Sequence, residues 1–121
     1  MSSFAQDRFE SGPNKGFRRS PTEHMIVEIE SPFKVHSVHG VIKDPAGYPM
    51  PDVTFEIRTE SGRIREAKTD KMGRFRISGT AAGTYSFKAT KDGFQSVIGK
   101  IVVAKKLNRK ASIELKMPLG V

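Results

Sequence analysis

Thr69-Asp70-Lys71-Met72-Gly73-Arg74-Phe75-Arg76-Ile77, followed closely by Gly83-Thr84-Tyr85-Ser86-Phe87, decides how this chain folds. Asp70 can bond the backbone two residues on and Gly73 can take a positive φ, so the first part reads as a tight turn that feeds a strand. From Arg74 onward polar and apolar residues alternate, the period of a half-buried strand. Phe75, Ile77, Tyr85 and Phe87 then share one buried face. The stretch predicts two strands over a common core and contains no chemistry of its own.

Working outward, the same punctuation recurs. Val35 to Lys43 reads as a first strand, closed by Asp44-Pro45-Ala46-Gly47, with Pro at the first central turn position and Gly47 closing it. Asp52 to Arg58 is a second strand, with Val53, Phe55 and Ile57 on one face and Thr54, Glu56 and Arg58 on the other. Glu60-Ser61-Gly62 turns the chain into a third, Arg63 to Thr69, with Ala67 and Thr69 inward. Past the central pair, Lys91-Asp92-Gly93 leads into Phe94 to Val103, where Gly99 reads as a kink or bulge. Arg109 to Met117 alternates once more, with Ala111, Ile113 and Leu115 inward. Seven short strands and no helical period predict an all-β fold, a two-sheet antiparallel Greek-key sandwich over residues 34–118. Residues 1–33, polar with scattered Phe4, Phe9 and Phe17, read as a flexible N-terminal tail, with one short strand at 25–29.

Composition sets the outer limits. At 121 residues, one domain with an adequate core is expected. The longest aliphatic run, Ile101-Val102-Val103-Ala104, is far too short for a membrane span. The absence of cysteine excludes a disulfide scaffold, a thiol nucleophile and a cysteine zinc site. Met1 is followed by no apolar leader. The chain therefore either stays inside or has lost a signal peptide, which would place it outside the cell, in the periplasm or in the cell envelope. The net charge is +8. Residues 1–40 hold five Lys/Arg against five acids, so residues 41–121 carry all the excess. That balance favours anionic partners, against the alternative of a plainly solvated basic surface.

His39-Gly40-Val41-Ile42-Lys43-Asp44-Pro45-Ala46-Gly47-Tyr48-Pro49-Met50-Pro51-Asp52-Val53 resembles the start of the carboxypeptidase regulatory-like domain, a transthyretin-like (prealbumin-like) sandwich. The Asp70–Gly73 turn, the Gly83-Thr84-Tyr85 strand opening and Gly93-Phe94 continue the same pattern in the same order, over about residues 35–117. The resemblance implies an accessory module, mostly non-catalytic, of the kind found beside peptidase domains and in surface or secreted proteins.

Enzymatic relatives are tested residue by residue. Transthyretin-like hydroxyisourate hydrolases need catalytic His and Arg and end in Tyr-Arg-Gly-Ser, whereas this chain ends Met117-Pro118-Leu119-Gly120-Val121. Intradiol dioxygenases bind iron through two tyrosines followed by a histidine pair, but here every histidine precedes Tyr48 and Tyr85. Related domains with self-formed Lys–Asn cross-links place a buried Glu where this chain has Ala89, and Arg109 to Met117 holds no Asn or Asp. His36 and His39, three apart on a strand, face opposite sides unless the strand breaks between them. Asp44, Asp52, Asp70 and Asp92 read as turn caps rather than calcium ligands. No catalytic residue, metal or cofactor is expected.

One positive hint remains. Arg58, Arg74, Arg76, Lys88, Lys100 and Lys116 fall on outward strand positions and form a candidate anion-binding face, with edge-guarding cations as the plainer alternative. Nucleic acid is the less favoured anion, because the aromatic residues needed for base stacking are assigned to the core. The sequence thus predicts a non-enzymatic structural or interaction module of an exported or cell-envelope system with a protein or polysaccharide partner. The alternative is a polyanion-binding module, and a lower one a transthyretin-like hydrolase or carrier. Oligomeric state is underivable.

Overall fold

A computed structural model of the protein describes residues 16–21 and 26–120. Nine strands form: β1 (Val27–Glu28), β2 (Phe33–Val35), β3 (Val38–Lys43), β4 (Thr54–Arg58), β5 (Ile64–Lys68), β6 (Arg74–Ile77), β7 (Gly83–Thr90), β8 (Val97–Val103) and β9 (Ile113–Lys116). The larger sheet runs β1-β8-β7-β4-β5, with β2 also on β8, and the smaller runs β6-β3-β9. The all-β two-sheet sandwich is the expected one. Its strands number nine rather than seven, and β1–β8, β2–β8 and β3–β9 pair in parallel rather than antiparallel.

The difference in count has a local origin. The single strand read over Val35 to Lys43 is interrupted at His36-Ser37, so that β2 joins the larger sheet and β3 the smaller. Residues ahead of the break then add to the sandwich. Val27 N–H donates to Ser96 O and Ile29 N–H to Ile98 O, each at 2.9 Å, which holds β1 along β8. The expected flexible tail is therefore corrected over residues 16–21 and 26–33, whose chain lies on the sandwich; Phe17 is 6% exposed. Residues 1–15, with Phe4 and Phe9, and Met25 of the expected strand lie outside the described residues.

The core sits between the sheets as alternation predicts. Phe55 stacks on Phe75 with centroids 4.1 Å apart and on Phe87 at 5.3 Å, and Tyr85, Ile57, Ile77, Ile113 and Leu115 close around them. Pairs of this kind add to the apolar burial that dominates folding. Gly99 makes no bulge: β7 and β8 keep one continuous register from Gly83–Val103 to Ala89–Val97. Its role is clearance. A Cβ there would meet Phe87 Cε2 at 2.6 Å, so glycine leaves room for the central ring.

Two turns of identical design position the smaller sheet. In one, Asp44 Oδ1 accepts the N–H groups of Ala46 and Tyr48 at 2.9 Å; in the other, Asp70 Oδ1 accepts those of Met72 and Arg74, also at 2.9 Å. Each closes with a glycine N–H, Gly47 or Gly73, on the Asp carbonyl. Gly73 has a φ of 74°, and a Cβ on it would sit 2.5 Å from Ile42 O, so backbone handedness and space both demand glycine. The Ile42 N–H in turn donates to Gly73 O, which ties the turn to β3.

Candidate functional site

The six cations of the expected anion-binding face do not meet on one surface. Arg58, Lys88 and Lys100 stand on the outer face of the larger sheet, and Arg74, Arg76 and Lys116 on the outer face of the smaller one. The core lies between them. The single face read from the sequence is corrected to two opposite surfaces, because alternation reports inward or outward but not which sheet a strand joins.

On the larger sheet, Lys88 is buried, at 0% exposure, and is withdrawn as a binding residue. The reason is a strap formed by residues 16–21. Arg18 N–H donates to the Glu56 carboxylate at 3.1 Å, Ser20 Oγ donates to Asp92 Oδ1 at 3.3 Å, and Arg58 lies 5.3 Å over the Phe17 ring. Glu56 pairs across the strands with Lys88, and its carboxyl pKa is raised. Burial is the largest cause and the nearby Glu66 charge adds to it, while the Arg18 N–H and the charges of Arg18 and Lys88 oppose. Beyond the strap, Arg58 Nη2 and Lys100 Nζ both donate to Ser86 Oγ at 3.3 Å.

The smaller sheet presents an open outer face. On β6, Arg74 and Arg76 point out while Phe75 and Ile77 point in. In register beside them on β3 stand His39 opposite Arg76 and Val41 opposite Arg74; on the far side Val41 meets Glu114 and Lys43 meets Lys116 of β9. A groove of about 680 Å³ crosses this face, lined by His39, Val41, Lys68, Arg74, Arg76 and Lys110, with Ser112 and Asp70 at its rim. Asp70 is already engaged. It accepts two backbone N–H groups and Arg74 Nε at 3.2 Å, and its pKa is lowered, chiefly by the Arg74 N–H, with Met72 N–H and the Arg74 charge adding. Among the described residues, no ion pair engages Arg76, Lys68 or Lys110.

Lys68, Lys110 and His39 belong to this groove without having been singled out for it. Lys68 sits at the end of β5, whose facing the sequence leaves unclear, and Lys110 lies in the turn before β9. Only the two-residue spacing of Arg74 and Arg76 is a local signal.

The remaining candidates resolve individually. The strand does break between His36 and His39, but the His39 Nδ1 lies 3.2 Å from both the Oγ and the carbonyl oxygen of Ser37, a local contact that fixes the ring. Among the described residues no three His, Cys, Asp or Glu cluster as a metal site. Tyr85 spends its hydroxyl on Ala81 O at 2.6 Å, and Tyr48 is 69% exposed beside the first turn. Among the described residues no helix is long and apolar enough to cross a membrane.

The fold is similar to that of known proteins. It matches the Bacillus anthracis TIE protein at 21% identity and a TM-score of 0.59, covering 70% of this chain and 16% of that one. It also matches BcpA, the major pilin subunit of Bacillus cereus, at 18% identity and a TM-score of 0.53, covering 68% of this chain and 27% of that one. The chain thus spans less than a third of either protein. No curated protein sequence matches it. The profile of the carboxypeptidase regulatory-like domain matches residues 37–116, the span that holds the twin Asp–Gly turns, the stacked phenylalanines and both outer faces, and the chain belongs to that family.

Proposed function

We propose that this chain is a non-catalytic interaction module of an exported or cell-envelope system, engaging a protein or polysaccharide partner. The observation that carries the reading is the open cationic groove on the smaller sheet, whose polar groups are aligned for contact rather than for reaction. Its carboxylate is held by the turn, its histidine by Ser37, and the rest are cations and a serine. Such a set supplies charge and hydrogen-bond donors, and the serine that meets His39, Ser37, lies outside the groove lining. Family membership supports the same reading, and the fold shared with a major pilin subunit fits an envelope setting.

The test is cosedimentation of the full chain with a purified, protein-containing cell-envelope fraction at moderate ionic strength. Saturable pelleting is the expected result. A chain that stays in the supernatant across all protein and polysaccharide subfractions would overturn the reading.

A further inference from the structure

Resting on that reading, the groove geometry points to a more specific ligand: we propose that the outer face of the smaller sheet binds an acidic polysaccharide, a chain bearing carboxylate or sulfate groups. The first argument is charge. Lys68, Arg74, Arg76 and Lys110 line one groove, and its single carboxylate, Asp70, is already held by two N–H groups and the Arg74 guanidinium. The charge left over is cationic and exposed. The second argument is the supply of donors and acceptors. Lys and Arg donate only, so donors outnumber acceptors here, which come to the Ser112 hydroxyl, the unengaged lone pair of Asp70 and, in one tautomer, His39 Nε2.

A donor-rich surface suits a ligand rich in acceptors. A peptide brings one backbone N–H for nearly every carbonyl, and those donors would find few acceptors among side chains that are mostly cations. A sugar polymer with anionic substituents brings carboxylate or sulfate oxygens for the cations, and hydroxyls that adapt to either role. Nucleic acid would leave its bases without a platform, since Phe75 is 4% exposed and faces the core. Arg74 and Arg76, two residues apart on one strand face, stand roughly 7 Å from each other, a spacing that rewards a chain with regularly repeated charges. Val41, beside Arg74 on β3, offers an apolar floor for a sugar ring, and the exposed Glu114 on its β9 side turns anionic substituents toward the arginines.

The experiment is titration of the full chain by calorimetry and amide NMR with oligogalacturonate, dextran sulfate, neutral dextran, poly-glutamate and a short single-stranded DNA, at low and raised salt. Arg76→Glu and Lys110→Glu alter exposed groove residues that hold no turn or core, and Lys100→Glu on the opposite face is the control. Thermal unfolding confirms that each variant folds. We expect an acidic polysaccharide to bind, salt to weaken it, each groove variant to lose about tenfold or more in Kd, and Lys100→Glu to stay within about twofold. The oligogalacturonate and dextran sulfate arms tell carboxylate from sulfate. Binding that the groove variants leave unchanged, or tighter binding of poly-glutamate or DNA, overturns the proposal. So does the absence of binding to either acidic polymer; if the chain still sediments with the envelope fraction, only the ligand assignment falls.

Discussion

Phe75 shows how much one residue of the opening stretch carries. Its ring stacks on Phe55 at 4.1 Å and is 4% exposed, at the junction of both sheets. Phe75→Ala should cost roughly 3–5 kcal/mol, a large part of what a domain this small possesses. Denaturant titration checks it, and a loss under about 1 kcal/mol would contradict the packing described. Two carboxylates act on stability in opposite directions. Glu56, with its pKa raised foremost by burial, binds its proton more tightly folded than unfolded. Its contribution is therefore present below the ordinary glutamate range and lost as pH rises through the raised value. Asp70, with its pKa lowered foremost by the Arg74 N–H, contributes above the ordinary aspartate range and loses that as pH falls through the depressed value. Unfolding midpoints measured from about pH 3 to about pH 7 should thus lose the alkaline-side decline in Glu56→Gln and the acid-side decline in Asp70→Asn. An unchanged profile in either variant would show that the slope arises elsewhere.

The strap is the element that alternation alone does not reveal. Residues 16–21 cross the outer face of the larger sheet, with Phe17 seated under Arg58 and the Arg18 N–H on Glu56. Arg18 also approaches Glu66 at 3.8 Å, but both side chains are about half exposed, so that ion pair adds little. The anchor is Phe17. Phe17→Ala should lower stability by about 1–3 kcal/mol and, in hydrogen exchange, speed the amides of residues 16–21 while leaving β7 and β8 protected. Equal deprotection of strap and strands would mean that the strap is integral to the sandwich rather than laid upon it. Within the sheets, element reading from sequence does well where a turn has its own chemistry: the Asp44 and Asp70 turns sit together at the end of the β3–β6 pairing where Val41 meets Arg74. It does less well at His36-Ser37, where no Gly or Pro announces the break.

At the scale of the molecule, the two outer faces have different fates. One is covered by the chain's own residues 16–21 and edged by β1; the other is left open with its cations. A fragment of residues 34–121, the extent read from the sequence, would lack the strap, β1 and Phe33. Its chemical denaturation midpoint should lie below that of the full chain by an amount worth more than about 1 kcal/mol, since at least the seats of Phe17 and Phe33 would open to water. Equal stability of fragment and full chain would show that the contacts of residues 16–21 and 26–33 carry no net free energy.

The twin turns, the stacked phenylalanines and the sandwich itself were legible because their causes are local. An Asp two and four residues from the N–H groups it caps, or a period of two along a strand, is written into neighbouring positions. The fate of the outward cations was not. Lys88 and Arg76 look alike in sequence, yet one is sealed under chain reaching across separations of 38 and 72 residues and the other faces solvent. Which sheet a strand joins, and which face a distant segment covers, depends on long-range packing. Only the tertiary structure assembled the groove from β3, β6, the end of β5 and the turn before β9.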